Sequence, residues 1–425
     1  MSELKDDCFA YAGELTPFAD AMALLDGRIT CVAGEETVSL ARALGHTLAR
    51  DLTAPMNVPP HDNAAVDGYA VFFDDLDQNA ETRLPVAARI AAGHALDGAA
   101  ERGHAFRIFT GAPMPKNADG SGPDTVLMQE DCREEDGVVM LPPGIKQGAN
   151  RRFAGEDVAA GAVMMNKGTR LGAAEVGLCA SVGFSEVPTF RPLRAAVFST
   201  GDEVQDPAAR DALASGKIYD ANRYTVIGLL HDLGLVVTDL GILPDSPAAI
   251  EEALGRAARD HDVILTSGGV SQGEEDHVGT VVEKLGSLHF WRLRIKPGRP
   301  IALGQIGTCA FVGLPGNPVA SMVTFMMIAR PVILRLGGRE DVAPKRFRVP
   351  LAGAIRKKTG RLEWMRGTLV KGADGSLSVE KFAQGGAGIL TSMVAAHGLI
   401  ELAEDAGDSQ EGALVDFIPF SEVTI

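Results

Sequence analysis

From Arg194 to Leu336 the sequence alternates short apolar runs with longer amphipathic stretches, each switch marked by a polar or glycine-rich loop. Ala195-Ala-Val-Phe-Ser199 reads as a strand that exits through Thr200-Gly-Asp-Glu203. Asn222 to Leu233 reads as a helix with Asn222 as its cap. Val236 to Leu243 is the next strand, and Pro244-Asp245 leads through Ser246-Pro247 into a helix ending near Asp260. Val263, Ile264 and Leu265 make a short run suited to a buried parallel strand, which breaks into Thr266-Ser267-Gly268-Gly269. A helix from about Asp276 to Leu285, a strand-like Leu288 to Ile295, and a strand Ala310 to Leu314 follow, then a long apolar helix. Parallel strands require crossovers, so these repeated units imply a doubly wound, mainly parallel sheet with helices on both faces.

In such a sheet the loops at the carboxyl ends of the strands face one edge, where ligands bind. Here they carry Thr200, Gly201, Asp202 and Glu203, then Asp245, then Ser267, Gly268 and Gly269, then Pro315-Gly316-Asn317-Pro318. Two glycines at a strand end let the backbone turn tightly and point N–H groups at an anion. A Gly-Gly pair is equally compatible with an ordinary βα turn. The convergence of four such loops is what favours a binding site.

Composition narrows the class. Hydrophobic residues are 46% of the 425, with 49 glycines, which fits a turn-rich globular enzyme rather than a disordered chain. A formal charge of −16 argues against a nucleic-acid partner. It also means that an anionic small molecule needs a local basic patch or a metal ion. Cys8, Cys31, Cys132, Cys179 and Cys309 lie far apart without a Cys-x-x-Cys pair, so neither a disulfide framework nor a structural zinc site is expected. Each reads as a small buried hydrophobe. The longest apolar run, Val319 to Leu336, carries Arg330, Pro331 and Arg335, and no membrane span is expected. The acidic start, Met1 to Cys8, lacks the regions of a signal peptide, so a cytoplasmic location is expected.

Upstream, Thr16-Pro17 starts a helix carrying Phe18, Met22, Leu24 and Leu25, and Val38, Leu40, Ala43 and Leu44 suggest a second helix ending near Gly45. Asp67-Gly68 enters an alternating strand, and four further runs up to Leu141 extend a β-rich block. Asp67 is either turn chemistry or a functional carboxylate. Thr110, in Thr110-Gly-Ala-Pro, is either a turn former or a hydroxyl aimed at a ligand. Arg151-Arg-Phe-Ala-Gly-Glu-Asp157 reads as a solvated ion-pair cluster. These patterns divide the chain into a discontinuous N-terminal domain (14–57 and 151–191), an inserted β-rich domain (58–150), the α/β domain (192–342) and a C-terminal domain (343–425). The last has short alternating strands separated by turns, as in a small antiparallel barrel or sandwich. Its basic run Arg356-Lys357-Lys358, with Arg361, reads as a solvated loop.

Seven motifs occur in order: Asn63-Ala-Ala-Val-Asp-Gly-Tyr-Ala70, Thr110-Gly-Ala-Pro, Arg152 with Gly155-Glu-Asp157, Ser199-Thr-Gly-Asp-Glu203, Ser267-Gly-Gly-Val-Ser271, Lys296-Pro-Gly-Arg-Pro300 and Pro315-Gly-Asn-Pro318. Together they make the chain resemble the MoeA-like molybdopterin molybdenumtransferases, relatives of the gephyrin E domain. The resemblance covers nearly the whole length, including Ile389-Leu-Thr-Ser-Met393 and Gly398-Leu-Ile400. It implies an elongated four-domain homodimer whose α/β domain is similar to molybdopterin adenylyltransferases and whose C-terminal domain is a small β-barrel. The implied reaction consumes adenylylated molybdopterin and molybdate, releases AMP and uses Mg²⁺. Implied partners are a molybdopterin adenylyltransferase and molybdoenzyme apoproteins or their chaperones.

On this resemblance, Glu203, Asp245 and Asp276 are hard oxygen ligands for Mg²⁺ and catalytic groups. Asp67 and Thr110 are catalytic residues reaching the cleft from the second subunit. Thr200, Gly201, Ser267, Gly268, Gly269 and Ser271 bind substrate, as do Arg292, Lys296, Arg299, Pro315, Gly316, Asn317 and Pro318. Arg152 and Asp157 act as supports, and Arg366 and Ser392 are further additions from the C-terminal domain. Two departures stand out: Ala64 and Val66 replace the usual serine and methionine, and Arg299 replaces a lysine, which changes donor geometry.

Other readings make different demands. Adenylyl transfer to molybdopterin has no obvious use for Asp67 and Thr110. A receptor-binding scaffold does not require the acidic loops. A nicotinamide dehydrogenase requires Gly-x-Gly-x-x-Gly after its first strand, and the chain has none there.

Overall fold

The computed structural model describes residues 15–209, 211–269 and 277–424. Its central sheet has the order Val236–Leu243, Arg194–Thr200, Val263–Ser267, Cys309–Leu314, Pro300–Ile306, Ser287–Arg292. The first four strands run parallel, and Pro300–Ile306 runs antiparallel to both of its neighbours. The parallel part is buried on both faces: Val263 and Leu265 point into one apolar cluster and Ile264 into another.

Helices cover the sheet with matching spacing. In Pro247–Asp260 the buried residues are Ile250, Leu254 and Ala257; in His277–Leu285 they include Val278, Val281 and Val282. Both pack on the Ile264 face. The opposite face takes the long helix Pro318–Leu336, whose mean hydropathy of 1.6 would suit a membrane span but which is 89% buried in the protein. It widens to a π turn at Phe325–Ala329. Pro331, which has no N–H to give the carbonyl four residues back, stands just beyond that turn.

Upstream, the helix Phe18–Asp26 forms as its pattern predicts, but the second predicted helix does not. Glu35–Ser39 is instead a strand pairing antiparallel with Glu186–Phe190, followed by a short 3₁₀ turn at Leu40–Arg42. Thr37 and Val38 are β-branched, and the run is too short for a helical period to dominate over strand pairing. Glu186–Phe190 also pairs with Thr47–Leu48, and Leu52–Thr53 pairs with Val163–Met165. A separate sheet holds Thr125–Met128, Gly68–Val71, Ala105–Ile108, Thr82–Ile90, Val138–Leu141 and Arg133–Glu135 in that order. Cys31 is exposed, against expectation, whereas Cys179 and Cys309 are buried.

The C-terminal strands form a sheet in the order Ile295–Lys296, Leu362–Lys371, Gly398–Leu402, Leu414–Pro419, Phe347–Pro350. Leu377–Lys381 pairs separately with Leu362–Lys371. A bridge between Leu351 and Val379 brings the two ends of the sheet together as a barrel. The pairing of Ile295–Lys296 with Leu362–Glu363 ties that barrel to the α/β sheet.

Candidate active site

The register of the parallel strands places their exits side by side. Thr200 pairs with Leu243, and Ser267 with Leu314. The loops 200–203, 244–245, 267–269 and 315–318 therefore leave one edge of the sheet. Gly268 and Gly269 both have positive φ, +89° and +67°, and a Cβ on Gly269 would stand 2.5 Å from the Thr200 methyl. Only glycine fits that position. The Gly268 N–H donates to the Leu314 carbonyl at 3.0 Å.

Asn222 joins two of these loops. Its amide nitrogen donates to Ser267 Oγ at 2.9 Å and to the Gly316 carbonyl at 2.7 Å, while Ser267 Oγ donates to the Pro315 carbonyl at 3.0 Å. The helix it was expected to cap starts at Asn222 itself, and its side chain caps nothing. Next to it Arg223, only 2% exposed, holds Asp206, Asp220 and Asp239 together. Burial opposes the guanidinium's charge, but hydrogen bonds to Asp239 and Asp220 outweigh it and raise its pKa. The network fixes both ends of the segment that follows Glu203.

Between this edge and the barrel lies a cleft of about 630 Å³. Its α/β wall includes Gly268, Gly269, Lys296, Arg299, Pro315, Gly316 and Asn317; its barrel wall includes Arg356, Glu363, Arg366 and Lys381. In a chain of net charge −16 this is a local concentration of cations. Lys296 Nζ pairs with the buried carboxylate of Glu363 at 3.1 Å. Arg366 is 8% exposed, and among the described residues it donates to Ser392 Oγ at 3.0 Å and the Gly386 carbonyl at 3.2 Å and to no carboxylate. Burial without a carboxylate partner pushes its pKa down. A buried, uncompensated guanidinium facing a cleft is poised for an anion.

Not every expected residue lines this cleft. Thr200, Gly201, Ser267, Arg292 and Pro318 are outside its lining. Arg292 sits at the end of an antiparallel strand, opposite Pro300, where its carbonyl accepts the Thr16 N–H. Ser271 and Asp276 lie outside the described residues. Glu203 folds back over Gly201, its Oε2 standing 2.5 Å from where a Cβ would be, and Asp245 follows the neighbouring strand. Both are oxygen donors suited to Mg²⁺ by type, but no three His, Cys, Asp or Glu side chains group as a metal site among the described residues.

Asp67 and Thr110 also lie outside the cleft lining, just before Gly68–Val71 and just after Ala105–Ile108 of the separate sheet, where they bond to each other. Nearby, Arg151 lies 4.0 Å from Asp62 and stacks on Phe153, so the 151–157 stretch is not a self-contained ion-pair cluster. Arg152 pairs through its backbone with Asn63, and the Asp157 N–H donates to the Val58 carbonyl.

The residues that the sequence reading missed are Arg356, Glu363 and Lys381. The Arg356 stretch is a loop in which Arg356 and Lys358 are exposed as expected, but Lys357 is not solvated: it is 6% exposed and its ammonium donates to the carbonyls of Lys358, Glu404 and Ala406. Burial alternates through Ile355, Arg356, Lys357 and Lys358 as buried, exposed, buried, exposed. That alternation is set by the fold, since the three consecutive cations Arg356-Lys-Lys358 carry no period of two in the sequence itself.

Comparison with known proteins matches three families along the chain: "MoeA N-terminal region (domain I and II)" over 16–183, "Probable molybdopterin binding domain" over 196–335 and "MoeA C-terminal region (domain IV)" over 348–420. A molybdopterin molybdenumtransferase of Haemophilus influenzae is 38% identical over 390 residues, 91% of this chain and 94% of that protein. One from Nostoc sp. is 37% identical over 310 residues, 71% of this chain and 70% of that protein. The crystal structure of a molybdopterin biosynthesis moeA protein from Pyrococcus horikoshii superposes with a TM-score of 0.82 at 26% identity, covering 96% of this chain and all of that one. With a relative this similar over nine-tenths of its length, and with the Gly-Gly loop and cationic cleft in one fold, the chain belongs to the MoeA-like molybdopterin molybdenumtransferase family.

Proposed function

We propose that the cleft binds adenylylated molybdopterin together with molybdate and inserts molybdenum with release of AMP. The observation that carries this reading is Arg366: a buried guanidinium without a carboxylate partner among the described residues, facing a cleft that Lys296, Arg299, Arg356 and Lys381 also line. A pyrophosphate and an oxyanion repel each other, so holding both requires such a cluster in an otherwise acidic protein.

The division of labour follows from donor type. The N–H groups at Gly269 and Gly316 suit phosphate oxygens, which accept hydrogen bonds without a side chain in the way, while the Gly268 N–H is committed to the Leu314 carbonyl. Lys296, kept in place by Glu363, and Arg299 supply positive charge, and Arg366 suits a tetrahedral oxyanion such as molybdate. Glu203 and Asp245, with Asp276, would hold Mg²⁺, which when bound polarises the phosphoryl group. Water or a molybdate oxygen attacks the adenylyl phosphorus, the P–O bond to the molybdopterin phosphate breaks, and that phosphate leaves with the electron pair. Two dithiolene thiols then bond molybdenum as one Mo–O bond breaks, the oxygen leaving as water when water was the attacking group and within AMP when a molybdate oxygen was. Asp67 and Thr110 enter the cleft from the second subunit of a homodimer, and a cytoplasmic location and hand-over between adenylyltransferase and acceptor proteins follow from the same role.

The test is single-turnover AMP release from adenylylated molybdopterin, with and without molybdate and Mg²⁺, for the protein and for Asp276→Ala. Release that depends on molybdate and collapses in the variant supports insertion. ATP-dependent adenylylation of free molybdopterin would replace it with the adenylyltransferase reading, and tight nucleotide binding without AMP release with the scaffold reading.

A further inference from the structure

The Gly-Gly loop and the Pro-Gly-Asn-Pro loop approach each other closely at the cleft floor: a Cβ on Gly316 would lie 3.7 Å from the Gly268 Cα. Backbone pairing holds this junction on one side, through Gly268 N–H and the Leu314 carbonyl. On the other side stands the amide of Asn222, with both hydrogens used on Ser267 Oγ and the Gly316 carbonyl. Ser267 then passes its own hydrogen to the Pro315 carbonyl, which closes a ring of three hydrogen bonds around the junction.

We infer that Asn222 is a positioning residue for anion binding: it sets the spacing of the two loops, and so the aim of their N–H groups, without touching the ligand. The inference rests on the reading of the cleft as a phosphoryl site. The donor pattern explains why an amide is needed. Ser267 Oγ has its hydrogen committed to Pro315 and Gly316 offers a carbonyl, so both partners accept and the side chain between them must donate twice. A carboxylate there donates nothing and faces two oxygen lone pairs. A protonated carboxylic acid donates once and repairs half of the tie. Arg223, one residue on, anchors the same turn through three aspartates, so Asn222 is presented from a rigid base.

The experiment measures AMP affinity by calorimetry between pH 8 and pH 5.5 for the unaltered protein, Asn222→Ala and Asn222→Asp, together with KM and kcat for AMP release. Loops that must be ordered on binding lose affinity, so both variants should bind AMP about ten-fold more weakly at pH 8. KM should rise by a similar factor with kcat nearly kept, a split that a loss of folded protein does not produce. Asn222→Asp should regain affinity as the pH falls, whereas Asn222→Ala should not. That comparison within one folded variant stands even if the alanine variant is unstable. Equal AMP affinity in all three proteins, or an Asn222→Asp defect that is flat with pH, would overturn the inference while leaving the phosphoryl reading intact. No AMP binding by the unaltered protein would overturn that reading and this inference with it.

Discussion

Thr110 gives both its backbone N–H and its hydroxyl to the same oxygen of Asp67, Oδ1, at 2.8 and 2.7 Å. The hydroxyl first, and the N–H second, hold the Asp67 carboxyl below its ordinary range. The pair explains why a threonine follows the strand Ala105–Ile108: its hydroxyl fixes the orientation of a carboxylate that is otherwise open to solvent.

Replacing that hydroxyl should show whether orientation matters. Thr110→Val keeps the shape and the N–H but removes the first donor, so the Asp67 pKa should rise toward its usual 3.8. At pH 7 Asp67 stays ionised, so a fall in AMP release of about ten-fold would report lost orientation rather than lost charge. Thr110→Ser should retain both properties. Carboxyl NMR titration and single-turnover assays check this, and an unmoved Asp67 pKa in Thr110→Val would contradict it.

Arg366 should separate stability from function. Its charge is disfavoured by burial and, among the described residues, met by Ser392 Oγ and one carbonyl rather than a carboxylate. Arg366→Met removes that burden while keeping apolar bulk, so Tm should stay level or rise, whereas the molybdate concentration for half-maximal AMP release should increase at least about ten-fold. A variant that melts several degrees lower with unchanged molybdate dependence would show that the guanidinium is structural.

Much of this was legible in advance, and what was missed has a pattern. Val236–Leu243 and the exit loops of the parallel strands could be read because apolar runs and glycines are local signals. Glu35–Ser39 was not, because its strand identity depends on Glu186–Phe190, about 150 residues away. The site divided in the same way. Lys296 and Gly268 sit in recognisable motifs, whereas Arg356 and Lys381 matter only because the barrel folds them against the α/β edge. Asn222 has the residue type of a helix cap, and the structure gives its amide to two loops instead.

A cleft completed by the second subunit can be tested by complementation. At molybdate well below its half-maximal concentration, Asp67→Asn and Arg366→Met should each strongly reduce turnover alone. If Asp67 serves the partner's cleft, an exchanged equal mixture should contain dimers with one intact cleft, restoring about a quarter of the native activity. If Asp67 serves its own cleft, the mixture should stay as inactive as its components.

The last prediction concerns how the α/β sheet is tied down. Arg191 clamps Asp262 with two hydrogen bonds of 2.7 Å, and the Arg194 N–H adds a third at 2.8 Å. Burial alone would raise the Asp262 pKa, but these donors outweigh it and the pKa is lowered. A carboxyl depressed in the folded state stabilises the fold above its unfolded pKa, about 3.9. That contribution fades as pH falls through the lower folded value. Asp262→Asn should therefore cost about 1–3 kcal/mol at pH 7, allowing for the part-exposed Arg191, and much less in acid well below the unfolded pKa of about 3.9. Urea unfolding at both pH values checks it: parallel losses in the two proteins on acidification would rule the clamp out as a source of acid sensitivity. Because Asp262 precedes Val263–Ser267, loosening it should also reach the Gly-Gly loop at the far end of that strand, where it would appear as weaker AMP binding.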